Sequence, residues 1–151
     1  MWRTWSLRCG GNGWGTEMRI MLDTNVLLSA ILFPSERMNR MMRRIFEEHR
    51  LVLSSFVVDE LGYVIRRKFP AKAAAVDQML SAMSYELVYT PQVMDQKLFA
   101  IRDPKDYPVL YTAIVEDVDM LITGDKDFAE IQIERPEICT PAEFMRRCGI
   151  H

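Results

Sequence analysis

The chain has 151 residues, 49% of them hydrophobic and 26% charged, which fits one globular domain around a single core. No apolar run approaches the ~18–20 residues needed to cross a bilayer, and the first residues lack the apolar stretch of a signal peptide, so the expected location is the cytoplasm, away from membranes. The formal net charge of −2 conceals ten Lys or Arg against six Asp or Glu over residues 18–72, and seven against fourteen over residues 73–151. That division is compatible with a cationic surface around an acidic pocket.

Residues 1–17, MWRTWSLRCGGNGWGTE, hold all three tryptophans and four of the seven glycines without a helix or strand period. They are expected to be a disordered extension, with the domain proper spanning 18–149. A short apolar run from Arg19 to Leu22 stops at Asp23, and a helix follows to the vicinity of Pro34. Ser35 to His49 is a second helix with an N-cap serine, a stripe of Met38, Met41, Met42, Ile45 and Phe46, and Arg37, Arg40 and Arg44 opposite. The methionine stripe is expected to serve the core or a dimer contact.

LVLS (51–54) is the second strand, and Ser55 to Phe69 a helix with Val57, Val58, Leu61, Val64 and Ile65 inward. A fourth helix covers 71–84 and a third strand 86–90; after a loop, Asp106 to Glu116 is helical with Val109, Leu110, Ala113 and Ile114 inward. Met120 to Thr123 is the fourth strand. A short strand around Ile138 and a helix from about Pro141 to Cys148 complete the series. Strands alternating with helices predict an α/β/α sandwich around a small, mainly parallel sheet, with sites at the carboxyl ends of the strands.

The three cysteines, Cys9, Cys139 and Cys148, show no pairing or zinc spacing and read as free thiols. His49 and His151 are not placed like catalytic bases. Acid chemistry in this chain therefore rests on carboxylates. Asp23 and Asp125 each stand where a strand ends. At about 100° per residue, Asp59 faces solvent while Glu60 lies roughly 100° from the centre of its helix's apolar stripe, where it can lean over a crevice. Asp106 sits on the buried side of its helix in the first turn, where an N-cap role is an equal explanation; Asp103, before Pro104, reads as a turn residue in a supporting position.

Two carboxylates ~4 Å apart repel by about 4 kcal/mol at an effective dielectric near 20, so four at one sheet edge call for a cation. Mg²⁺ or Mn²⁺ favours oxygen ligands and would activate water for attack on phosphorus without a histidine. Asn25 and Thr123 are placed to hydrogen-bond the acids or a phosphate, with local capping chemistry as the alternative for each. Arg40, Arg44, Arg66, Arg67 and Lys68 are the candidates for positioning a phosphate backbone, with a solvated helix face as the alternative for each.

LDTNVLLSA (22–30), SSFVVDELGYVI (54–65), RDPKDYPVLYTAI (102–114) and LITGDKDF (121–128) resemble, in order and spacing, the four acidic motifs of PIN-domain nucleases, notably the VapC-like toxin subgroup of prokaryotic type II toxin–antitoxin systems. The resemblance implies that Asp23, Glu60, Asp106 and Asp125 are the metal-binding and catalytic acids, with Asp127 as an extra metal ligand. It implies Mg²⁺- or Mn²⁺-dependent cleavage of RNA, a homodimer, and inhibition by a small antitoxin protein. Where the family usually has a small or polar residue after the third acid, this chain has Tyr107 and Pro108, which implies a different local loop. The alternatives are a binding module that no longer cleaves, and a structure-specific DNA nuclease.

Overall fold

The computed structural model describes residues 17–150; the expectation of a disordered extension falls, but for Glu17, outside them, as do Cys9 and His151. Strand β1 (Arg19–Leu22) leads into helix α1 (Thr24–Leu32), and α2 (Glu36–Glu48) returns the chain to β2 (Arg50–Ser54). Helices α3 (Ser55–Lys68) and α4 (Ala73–Ala82) precede β3 (Glu86–Val88). After a long loop come α5 (Tyr107–Val115), β4 (Met120–Ile122), β5 (Glu137–Cys139) and α6 (Pro141–Arg147).

All four strand pairings are parallel and the order is β3-β2-β1-β4-β5. The central strands are buried on both faces: Ile20, Met21, Leu22, Val52, Leu53, Met120, Leu121 and Ile122 are inaccessible to solvent, as a parallel sheet covered by helices requires. Helix α3 packs against α1, α4 and α5, while α2 packs against α6, giving the expected α/β/α sandwich. The chain travels outward from β1 to β3 and then crosses back to β4 on the other side of β1. The β1–β4 junction is thus a topological switch point, where connections diverge and leave a crevice.

Local chemistry explains the element ends. Ser35 Oγ accepts the Met38 N–H at 3.1 Å, and Ser54 Oγ accepts the Val57 N–H at 3.2 Å, so both helices start on a side-chain cap. Thr140 and Glu143 form a reciprocal capping box on α6. Two boundaries and one burial depart from expectation. Pro70–Lys72 is a 3₁₀ turn, so α4 begins only at Ala73. Strand β3 stops at Val88 because the Thr90 N–H goes to Ser55 Oγ (2.9 Å) instead of a strand partner. Phe46, expected inward, is 40% exposed, whereas Met41, Met42 and Ile45 are buried, so the methionine stripe belongs to the core.

Candidate metal centre

Asp23 ends β1 and opens α1. Its Oδ1 accepts the Thr24 N–H (2.7 Å) and its Oδ2 accepts the Thr123 hydroxyl (2.8 Å), while its own N–H donates to the Ile122 carbonyl (3.1 Å). Thr123 Oγ1 also accepts the Asp125 N–H at 3.1 Å. One buried hydroxyl therefore ties the ends of β1 and β4 together across the switch point. Asp125 Oδ1 in turn caps the 3₁₀ turn Lys126–Phe128 by accepting the Asp127 N–H (2.9 Å).

Asp106 stands at the end of a 3₁₀ turn, Pro104–Asp106, that runs directly into α5. Its backbone is already helical, and its side chain makes no capping bond, which removes the structural explanation that the sequence allowed. The turn is capped instead by Asp103, whose Oδ1 accepts the Lys105 N–H (3.0 Å). Asp106 Oδ2 is buried without a hydrogen-bond partner. When protonated, the Asp106 carboxyl group shares a hydrogen bond with Asp125. Burial, that shared hydrogen bond and the charges of Asp125, Asp23 and Asp103 push Asp106 up to about 7. Asp23 is also raised: burial outweighs its two hydrogen bonds, and Glu60 and Asp125 add to the effect.

Each of the four motif acids lies within electrostatic reach of at least one other. Asp23 feels Glu60 and Asp125, and Asp106 feels Asp125 and Asp23. One oxygen each from Asp103, Asp106 and Asp127 lie within 4.8 Å of one another. Asp103, expected only to support, is a full member of this cluster as well as a cap. Every donor is a carboxylate oxygen, and one of them is a buried oxygen with no proton donor. Those two facts fit a hard divalent cation.

The expected cations are placed differently. Arg66, Arg67 and Lys68 fill the last turn of α3, roughly 9–12 Å along the helix axis beyond Glu60. Since α3 starts at the carboxyl edge of β2, they lie toward the opposite edge of the sheet; Arg67 donates to the Tyr63 hydroxyl there (2.8 Å). Arg44 pairs with Glu48 (2.8 Å) beside His49, and Arg40 is exposed on α2. Asn25 is exposed within the first turn of α1. Instead, the basic residues next to the acids include Arg102, whose Nε is 3.8 Å from Asp127, and Lys126. Both adjoin motif acids in sequence, and that adjacency was the signal available for finding them.

His49 has no part in this chemistry. Its Nδ1 accepts the Met18 N–H (3.1 Å), and burial lowers its pKa to about 4. Cys139 and Cys148 are buried free thiols, with burial pushing Cys139 up to about 12. The departure at Tyr107 has a structural use. Its ring is buried and stacks on Phe99 (4.2 Å between centroids), and its hydroxyl donates to the Asp95 carbonyl and accepts the Leu98 N–H (3.2 Å). Tyr111 accepts the Asp95 N–H (3.2 Å), so two tyrosines of α5 fasten the preceding loop.

The family model for the PIN domain matches residues 19–127. No curated protein matches the chain. Among solved structures, VapBC2 from Rickettsia felis bound to a DNA fragment from its promoter is 23% identical, with 81% of this chain and 97% of the matched chain covered and a TM-score of 0.63. DNA-bound VapBC from Salmonella typhimurium is 17% identical, with 82% and 98% covered and a TM-score of 0.63. VapC20 of Mycobacterium tuberculosis, a sarcin–ricin loop cleaving toxin, is 12% identical, with 73% and 92% covered and a TM-score of 0.52. At such identities these three likenesses concern the fold. The family match covers the whole stretch from β1 to Asp127 and includes every acid of the cluster, and on it the chain belongs to the PIN-domain family.

Proposed function

We propose that the protein is a divalent-metal-dependent endoribonuclease, the toxin of a toxin–antitoxin pair. The observation that carries this reading is the buried, donorless Oδ2 of Asp106 among carboxylates from three separate motifs. Asp23, Glu60, Asp106 and Asp125, with Asp127 and Asp103 beside them, would hold Mg²⁺ or Mn²⁺. When bound, such a cation activates water and offsets the negative charge that develops on a phosphoryl group. The chain supplies the rest: Thr123 fixes the orientation of Asp23 and Asp125, and the turn at Pro104 lifts Asp106 into the cluster.

The toxin assignment draws on the likeness to VapBC complexes and to a sarcin–ricin loop cleaving toxin. It brings with it a small antitoxin partner, a homodimer and a place in the cytoplasm; among the described residues no helix is long and apolar enough to cross a membrane. The nuclease domain is assigned to residues 18–149.

The test is incubation of the purified, partner-free protein with a mixed single-stranded RNA pool in Mg²⁺ or Mn²⁺, beside Asp106→Asn and an EDTA control. Cleavage should require the cation and fall by at least a hundredfold in the variant. Equal cleavage by a folded Asp106→Asn protein would defeat the assignment, and failure of the wild type to take up Mn²⁺ in calorimetry would point to a silent binding module.

A further inference from the structure

Beside the acids, and sharing Asp127 with them, lies an open cleft of about 660 Å³ whose lining includes Ile101, Arg102, Lys126, Glu130 and Ile131. Its size is in the roughly 300–1,000 Å³ range of ligand pockets. Ile101 and Ile131 are half-buried and packed against the core, so the cleft has a fixed apolar floor. Arg102, with 81% of its side chain exposed, and Lys126 stand at the rim, next to the acid cluster. Glu130 lines the remainder and repels a phosphate there.

We infer that this cleft seats the nucleotide next to the bond that is cut, with its phosphate between Arg102 and Lys126 and its base on Ile101 and Ile131. The inference rests on the nuclease reading and names the part of the substrate that the acids do not hold. A flat base covers apolar side chains at little cost in polar desolvation, and a cationic groove that tracks the backbone is one part of how single strands are gripped. The loop that carries Ile101 and Arg102 follows directly on the segment fastened by Tyr107 and Tyr111, so one wall of the cleft is held in place by α5.

The probe is a labelled, mixed-sequence single-stranded RNA of about eight nucleotides, followed by fluorescence anisotropy on Asp106→Asn protein so that no strand is cut. Adding Arg102→Ala and Lys126→Ala should weaken binding at least tenfold and reduce the slope of log affinity against log salt by about 0.7, the value for one neutralised phosphate on a single strand. Ile131→Ser should weaken binding of the intact strand severalfold but leave an abasic strand unaffected, with Ile131→Leu as the conservative control. Mn²⁺ uptake by Arg102→Ala, Lys126→Ala protein with its acids intact should persist, showing a folded site.

Unchanged RNA affinity and salt slope in the double variant would overturn the inference even if the wild type cuts RNA. An equal loss for intact and abasic strands in Ile131→Ser would overturn the placement of the base. The expected binding losses in a protein whose wild type never cuts would uphold the cleft and remove the nuclease reading, so the two fail separately.

Discussion

Thr123 serves two acids with a single oxygen, donating to Asp23 and accepting from the Asp125 backbone, and it is 2% exposed. Thr123→Val keeps the shape but leaves a buried Asp23 oxygen without its donor. The expected cost is about 1–3 kcal/mol of stability in urea unfolding, with weaker Mn²⁺ binding, and Thr123→Ser should recover both. Asp106 gives a pH-dependent prediction. Its folded pKa, about 7, lies above the ordinary 3.8, so the stability that its proton contributes is full below about pH 4 and is lost as pH rises through 7. Asn cannot ionise. Without divalent cations, the melting temperature of Asp106→Asn should match the wild type near pH 4 and exceed it increasingly toward pH 8. His49, whose lowered pKa acts in the opposite sense, is common to both proteins and drops out of the difference. Asp23 and Asp125 were legible in sequence because an apolar run that stops on an acid marks a strand's carboxyl end. Arg102 and Lys126 were missed although they adjoin motif acids, because helical periodicity ranks residues on helix faces and is silent about side chains on turns.

The connection after α5 shows the same limit for whole elements. The Asp117 N–H bonds the Ile114 carbonyl (3.0 Å) and the Val118 N–H bonds the Ala113 carbonyl (3.1 Å), closing the helix with Asp117 in the left-handed region at φ 52°. An acid there is unfavourable both for its Cβ and for its charge at a helix carboxyl terminus. Its pair with Arg135 is between exposed side chains and is worth little. Asp117→Gly should therefore raise stability by about 0.5–1 kcal/mol, read from thermal melting. Sequence gave no glycine to announce this end, yet the helix stops within a residue of where the apolar pattern stops. Likewise Pro108 located the start of α5 to within one residue, but the 3₁₀ turn that brings Asp103 into the cluster has no periodic signature.

For the molecule as a whole, alternation of strands and helices was sufficient to anticipate a parallel sheet under two helical layers. It could not supply the order β3-β2-β1-β4-β5, because that depends on which side of β1 the returning chain chooses. The order is what matters for the site, since it sets Asp23 and Thr123 side by side although they are 100 residues apart. A cation binding there should stabilise the entire fold: at a hundred times its dissociation constant the gain is about 2.7 kcal/mol. For a chain of this length that corresponds to roughly 5–10 °C in melting temperature. Mn²⁺ should produce that rise in the wild type and not in Asp23→Asn.

The separation between Asp23 and Thr123 also bears on how the protein is made. A growing polypeptide on the ribosome carries Asp23 and Glu60 long before Thr123, Asp125 and Asp127 have been translated. Until β4 and the turn after it are synthesised and β4 is inserted beside β1, Asp23 lacks its hydroxyl donor and Asp106 lacks the carboxylates of Asp125 and Asp127. On the proposed ribonuclease reading, a chain that ends before β4 would lack the assembled site and would cut no RNA.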